Sequence, residues 1–305
     1  MTVIIIGSIL LFLLLVLFAI LFGIYKAVFY TPVKGQNDVN KIVGIAKLLD
    51  PDKFLTQIKT LVSTKYDDLW IESYDGLKLH GFFYENKNSN QYVLLFNGYK
   101  SLARRDYCQR AMDLIQDGKN VILCEQRGHG QSEGHFISLG RREQYDVVSW
   151  VKFAQEKFGK DAKITVAGSS LGGTTVLLAS DKLPQDVSVF ADSPYPSEKA
   201  IIKHILKKRK FNPSFCWPFI YLSALVFGHV RLKDDAAENV AKSKCKIMIV
   251  HCAKDTIVPI ELNKQLFECN KEHVQVVFFE NLQHALGYFK EHEKYKKIFY
   301  EFLDK

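Results

Sequence analysis

The chain has 305 residues, 48% of them hydrophobic and 24% charged, with a formal net charge of +8. That length suits one large domain or two small ones, and the composition is globular, without internal repeats or a long low-complexity tract. A basic excess suits nucleic acid or an anionic membrane surface; no nucleic-acid motif appears, and the first thirty residues favour the membrane.

Residues 1–25 carry no charged side chain, and from Val3 to Ile24 nearly every residue is Ile, Leu, Val or Phe. About 20 apolar residues cross a bilayer as a helix. A cleavable signal peptide has a basic leading region, a shorter apolar stretch and a small-residue cleavage site, and none is present. Residues 1–30 therefore read as an uncleaved transmembrane anchor with Tyr25, Phe29 and Tyr30 at the interface. No Lys or Arg precedes the span, whereas Lys26, Lys34, Lys41 and Lys47 follow it. The positive-inside rule then puts the large domain on the cytoplasmic side. Cys108, Cys124, Cys216, Cys245, Cys252 and Cys269 show no C-x-x-C spacing. They read as reduced, mostly buried thiols, with neither a metal site nor a disulfide framework, which suits the cytoplasm. An anchor that exports its carboxyl-terminal domain is the alternative topology.

Residues 31–66 read as a linker with helical patches such as 53–58, and the folded domain begins near Asp67. Apolar runs on either side of Asp75-Gly76 predict a β-hairpin. Further strands are predicted at 92–96, 121–124, from Lys163, at 187–191, 246–250 and 274–279, with helices near 105–116, 142–158 and 288–302. Strands alternating with helices imply a mostly parallel, doubly wound sheet covered on both faces, here with an antiparallel start.

The strand from Lys163 runs into Gly168-x-Ser170-x-Gly172 and then into a helical stretch at Thr174–Ala179. Strand, tight turn and helix are the context that gives G-x-S-x-G its meaning. The glycines allow a turn too sharp for a Cβ, and the apex residue, Ser170, is exposed as a candidate nucleophile. A serine hydroxyl needs a base, and the base needs an orienting acid. In such a sheet both come from loops at the carboxyl ends of strands. The loop after 246–250 offers Asp255, and the loop after 274–279 offers His284. His129 and His135 lie upstream in a Gly-rich loop, His273 precedes the last strand, and His292 lies in the closing helix. Asp192 also follows a strand and is the rival acid. The oxyanion needs two donors, expected at the backbone N–H groups of Leu171 and Tyr99, with Gly98 permitting close approach.

With these residues in hand, residues 67–305 resemble the α/β-hydrolase superfamily. They look similar to its bacterial membrane-anchored serine hydrolases of the serine-aminopeptidase-like or acyl-hydrolase branch. The matching features are Asp75–Gly81, Arg127-Gly128-His129-Gly130-Gln131-Ser132-Glu133-Gly134, the turn at Gly168–Gly172, Asp192-Ser193-Pro194-Tyr195 and the two downstream loops. The resemblance implies an α/β-hydrolase fold and hydrolysis of an ester, thioester or amide without a cofactor or metal. Two departures are visible: Asn97-Gly98 stands where the family has His-Gly, and Cys252 where it has Gly.

An insertion at about 194–244 resembles a short helical cap, with a basic helical run at 200–210 followed by an aromatic-rich stretch. Its apolar character points to a lipid-like acyl substrate and a serine esterase, with the bilayer the expected partner of residues 3–25. An aminopeptidase-like activity would need an acidic anchor for a substrate amine, for which Glu125 and Glu198 are candidates. The alternative of another class is a non-catalytic, membrane-tethered interaction protein.

Overall fold

The computed structural model describes residues 1–31 and 49–304. Nearly half of the expected linker, including Lys34, Lys41 and Lys47, lies outside the described residues. The described residues form an eight-stranded sheet of β1 (Asp67–Glu72), β2 (Lys78–Tyr84), β3 (Gln91–Phe96), β4 (Asn120–Cys124), β5 (Lys163–Ser169), β6 (Ser188–Asp192), β7 (Ile247–Cys252) and β8 (Val274–Phe279). Their spatial order is β1-β2-β4-β3-β5-β6-β7-β8. Strand β2 is antiparallel to β1 and β4, and all other pairs are parallel. The central strands are near-continuous apolar runs because both faces are covered; every residue of β4 is buried.

The helices, in chain order, are α1 (Thr2–Ile24), α2 (Pro51–Ser63), α3 (Ala103–Asp106), α4 (Cys108–Gln116), α5 (Glu143–Phe158), α6 (Leu171–Ala179), α7 (Glu198–Lys208), α8 (Pro213–Gly228), α9 (Ala236–Lys242), α10 (Lys264–Glu268), α11 (Gly287–Lys290) and α12 (His292–Leu303). One core lies between the sheet and α5, α6 and α9, where Trp150, Val176 and Val240 are fully buried. The other lies between the sheet and α2, α4 and α12, around Phe190, Phe279 and Phe299. A third apolar cluster joins Leu171, at the start of α6, to Ile201 and Ile202 of α7, Ile220 and Ala224 of α8, and Phe29.

Several local expectations shift. Helix α2 begins with Asp50 Oδ1 accepting the N–H groups of Asp52 and Lys53, and it buries Phe54, Ile58 and Leu61. Those three side chains dock residues 51–63 against α3 and α4, so this stretch packs on the domain as well as leading to it. Strand β7 extends two residues past its predicted end, because His251 and Cys252 keep pairing with Phe278 and Phe279 of β8. The helix predicted near 105–116 is broken at Tyr107, whose non-helical backbone lets its hydroxyl donate to Phe96 O at 2.6 Å. Helix α9 buries Ala236, Ala237 and Val240 against the main core, so within 194–244 only α7 and α8 pack apart from it, in the third cluster.

Helix α1 is long and apolar enough to cross a membrane, and its side chains are almost all exposed. It continues into a wide turn, Tyr25–Phe29. Phe29 does not sit at a membrane rim as predicted: it is fully buried, stacked on Phe136 at 5.1 Å, and its carbonyl accepts from Ile137 N–H. A short antiparallel bridge between Tyr30 and Phe136 fixes the end of this turn on the domain.

Candidate active site

Strand β5 delivers Ser170 and helix α6 leaves it. Ser170 has φ 55° and ψ −114°, a region costing a non-glycine residue about 1–3 kcal/mol. A Cβ at Gly172 would stand 1.9 Å from the Phe96 carbonyl oxygen, and one at Gly168 2.2 Å from Gly172, so both positions require glycine. Helix α6 begins at Leu171, which is wholly buried, so the partial positive charge of the helix start lies directly beside the serine.

Asp255 and His284 are brought together. Asp255 is 4% exposed and His284 5%. Asp255 Oδ1 accepts the N–H groups of Ile257 and Val258, each at 2.8 Å, and Oδ2 faces His284 Nδ1 at 2.5 Å. A carboxylate only accepts, so Nδ1 carries the proton and Nε2 is left as the basic nitrogen. His251 lies behind the pair, donating from Nε2 to Val258 O at 2.8 Å, and burial lowers its pKa so that it stays neutral.

The Asp192-Ser193 step connects this pair to the serine turn. Ser170 N–H donates to Asp192 O at 2.8 Å, and Ser193 Oγ accepts from Ala285 N–H, next to His284, at 3.1 Å. The rival acid is itself otherwise engaged: Asp192 Oδ2 accepts from Tyr295 OH at 2.7 Å and from Arg110 Nη2 at 3.2 Å. That buried ion pair holds the carboxylate of Asp192 while Asp255 holds the histidine. Eight non-glycine residues among those described have positive φ, and Lys100, Ser170, Ser193 and Ala285 are four of them. Strain of this kind gathers at functional loops.

The loop after β3 lies against the serine. A Cβ on Gly98 would stand 3.8 Å from Ser170 Cβ. Gly98 N–H is already used, donating to Asp106 Oδ2 at 2.8 Å, and Lys100 N–H donates to His129 Nε2 at 3.0 Å. Tyr99 sits between these two fixed points. Asn97 locks the loop from below: its Nδ2 donates to Gly98 O, and its Oδ1 accepts from Gln126 N–H. The departure from His-Gly thus adds a clamp between the loops after β3 and β4. The Tyr99 hydroxyl donates to Val28 O at 2.6 Å and Lys100 Nζ to Ala27 O at 3.0 Å, so the turn that ends the apolar helix touches this loop.

Asp106, Arg127 and His129 were given no role by sequence reasoning. Arg127 forms ion pairs with Asp75 at 2.8 Å and Asp146 at 2.6 Å, which tie the Gly-rich loop to the first hairpin and to α5. That rigid loop presents His129, whose Nδ1 donates to Arg127 O at 3.0 Å and whose burial lowers its pKa, leaving Nε2 as an acceptor. The R-G-H-G motif was the signal for His129; nothing local marks Asp106, which acts only once the chain folds back.

The two candidate amine anchors fare differently. Glu125 is spent on His80 Nδ1 at 2.8 Å and Gln131 N–H at 2.8 Å. Glu198 is 1% exposed, and neither of its oxygens has a hydrogen-bond partner among the described residues. Burial, reinforced by Asp234, pushes its pKa up to about 8, so it holds a proton at neutral pH. No cluster of three potential metal-ligating side chains occurs among the described residues. A cleft of about 460 Å³ near the β1 edge is lined by Asp67, Asp68, Glu85 and Lys157 and lacks serine, cysteine and histidine.

The family model described as serine aminopeptidase, S33, matches residues 87–194, which include the β3 loop, the Gly-rich loop and the serine turn. An uncharacterized Bacillus subtilis protein, YqkD, is 25% identical over 242 residues, covering 77% of this chain and 78% of its own. The lysophosphatidylserine lipase ABHD12 of Danio rerio is 25% identical over 217 residues, 66% of this chain; the chain spans 54% of that longer protein. Among solved structures, the Pyrococcus furiosus esterase Pf2001 superposes with a TM-score of 0.66 at 24% identity, covering 81% of this chain and 92% of the esterase. Est1E of Butyrivibrio proteoclasticus, solved with ferulic acid, gives 0.58 at 21% identity over 78% of this chain and all (100%) of its own. Sheet order, serine turn and these similarities together give the chain an α/β-hydrolase fold and support its place in that superfamily.

Proposed function

We propose that the protein is a membrane-tethered serine hydrolase that cleaves an ester or thioester bearing an apolar acyl group. The observation carrying this reading is the buried Asp255–His284 pair joined, through Asp192-Ser193, to a strained serine at the start of α6. Ser170 Oγ attacks the acyl carbon while His284 Nε2 takes its proton. Asp255 holds the imidazole in register and balances the charge that forms on it. The N–H groups of Leu171 and Tyr99 receive the oxyanion. His284 then returns the proton to the leaving group, and water, activated by the same imidazole, releases the acid from Ser170.

The lipase and esterases among the similar proteins support an acyl substrate, as does the apolar cap above Leu171. Helix α1 supports a single-pass anchor over residues 1–30, and Lys26 at its end favours a cytoplasmic catalytic domain. The name of the matching family model favours a second reading, an aminopeptidase-like enzyme. Against it, Glu125 is engaged and Glu198 is protonated and enclosed. A panel of p-nitrophenyl esters of rising chain length, run beside aminoacyl anilides on the detergent-solubilised full chain, tests the choice. Ester turnover that rises with acyl length is expected; anilide turnover matching or exceeding it would favour the peptidase.

A further inference from the structure

The cap helix α8 is sixteen residues long and contains no charged side chain. A helix this apolar is normally wrapped by protein, yet Phe215 is 69% exposed, Leu225 38% and Val226 42%. Its other face is packed: Ile220 and Ala224 join Leu171 and Val258 in the cluster beneath the cap. The helix therefore has one face toward the candidate active site and another whose apolar side chains stay exposed among the described residues.

Its neighbour along that open face is α1. The Phe227 ring lies 5.6 Å from Phe18, 5.7 Å from Phe22 and 5.1 Å from Tyr25. Ser223 Oγ donates to Leu21 O at 2.8 Å, which satisfies a buried hydroxyl between the two helices. Between the helices runs a groove of about 470 Å³ lined by Leu14, Leu15, Phe18 and Leu21 of α1 and Leu222 and Val226 of α8. From Leu14 to Tyr25 the α1 axis advances roughly 16 Å, about half of a ~30 Å hydrocarbon core. If α1 crosses the bilayer, the stretch of it that α8 touches occupies one leaflet. At the amino-terminal end of α8, exposed Lys207, Arg209 and Lys210 precede exposed Phe211, an order of charge then ring suited to headgroups above acyl chains.

We propose that α8 is embedded in the leaflet beside α1, that the groove between them is filled by a lipid acyl chain, and that the substrate is an acyl amphiphile taken directly from the membrane. This deepens the proposed function and rests on α1 spanning the bilayer. Water-soluble esters would reach Ser170 only from the aqueous side, whereas a membrane amphiphile enters past the face of α8 that already lies in lipid.

The test uses the full chain in phosphatidylcholine vesicles, with Cys216 and Cys269 changed to serine so that buried thiols alone remain. An environment-sensitive fluorophore is placed on Val226→Cys, and in separate samples on Leu11→Cys in α1 and Lys87→Cys on the domain surface. Quenching by lipids carrying a nitroxide on the acyl chain is compared with quenching by aqueous iodide. Severalfold stronger nitroxide quenching at 226 and 11 than at 87, with protection from iodide, is the expected result. Nitroxide quenching at 11 with iodide quenching at 226 would overturn the embedded cap and leave the anchor standing. Iodide quenching at both positions would overturn the anchor and the cap together. Leu225→Cys serves as a second cap probe should the first variant not fold.

Discussion

The loops around Ser170 and the α1–α8 face are built on opposite terms. Around the serine, polar groups are out of water and nearly all are paired: Gly98 with Asp106, Lys100 with His129, His284 with Asp255. Along α1 and α8 apolar groups are exposed, and what polar surface exists is removed by bonds such as Ser223 to Leu21. In the first region geometry is fixed by directional bonds in a low-dielectric setting, where a missing partner is costly. In the second, directional bonds are few and the exposed surface is apolar, as the proposed place in a leaflet requires. The contrast teaches where each region tolerates change. The two also meet: Tyr99 and Lys100 reach from the loop after β3 to carbonyls in the turn that ends α1. The apolar segment thus does more than lead into the domain, since its last turn braces one side of the loop whose other side is held by His129.

The comparison can be broken or sharpened by four substitutions. Ser170→Ala should lower turnover about 10³-fold or more while leaving thermal unfolding nearly unchanged, read by ester hydrolysis and a melting curve. Retained turnover would move the chemistry away from the serine turn. Phe29→Ala empties a fully buried aromatic site and should lower stability by about 3–5 kcal/mol in a denaturant titration. A negligible loss would make the post-helix turn a passive connector.

Glu198→Gln addresses pH. The folded-state pKa of Glu198 is raised to about 8, above an ordinary value of 4.5. The unfolded chain therefore releases this proton first, and stability falls as pH rises between those two values. The amide variant lacks that slope. It should be more stable than the parent by a few kcal/mol, on the order of the shift, near pH 9, with little difference near pH 5. Parallel urea titrations check this, and a pH-independent difference would contradict it. The smallest effect is expected for Tyr99→Phe, which keeps the backbone N–H and the ring but removes the bond to Val28 O. A net value of about 0.5–1.5 kcal/mol corresponds to a roughly 2- to 13-fold fall in kcat with KM little changed. An equal rise in KM with kcat intact would instead place Tyr99 in substrate binding.

Much of the fold was legible because periodicity and turn chemistry are local. The eight strands were expected within two or three residues of where they lie, and the serine turn announced itself through glycines that no other residue could replace. The residues that brace the site were hidden because their partners lie across an irregular loop or in other elements. Asp106 matters through Gly98 and Ser101, and Asp192 differs from Asp255 only in being held by Arg110 and Tyr295 from other elements. Phe29 was misjudged for a similar reason. An aromatic after an apolar helix suits a membrane rim, and only the fold shows Phe136 and Ile137 enclosing it. The role of α2 was likewise invisible until its apolar stripe met α4.

The most direct test of the central claim is covalent trapping. The full chain, Ser170→Ala and Asp255→Asn are each treated with a fluorophosphonate, and the modified peptide is identified by mass spectrometry. The account predicts one adduct on the wild-type chain, at Ser170, strongly slowed labelling in Asp255→Asn and none in Ser170→Ala. Equal labelling of wild type and Ser170→Ala, or no labelling of the folded wild-type chain, would contradict it.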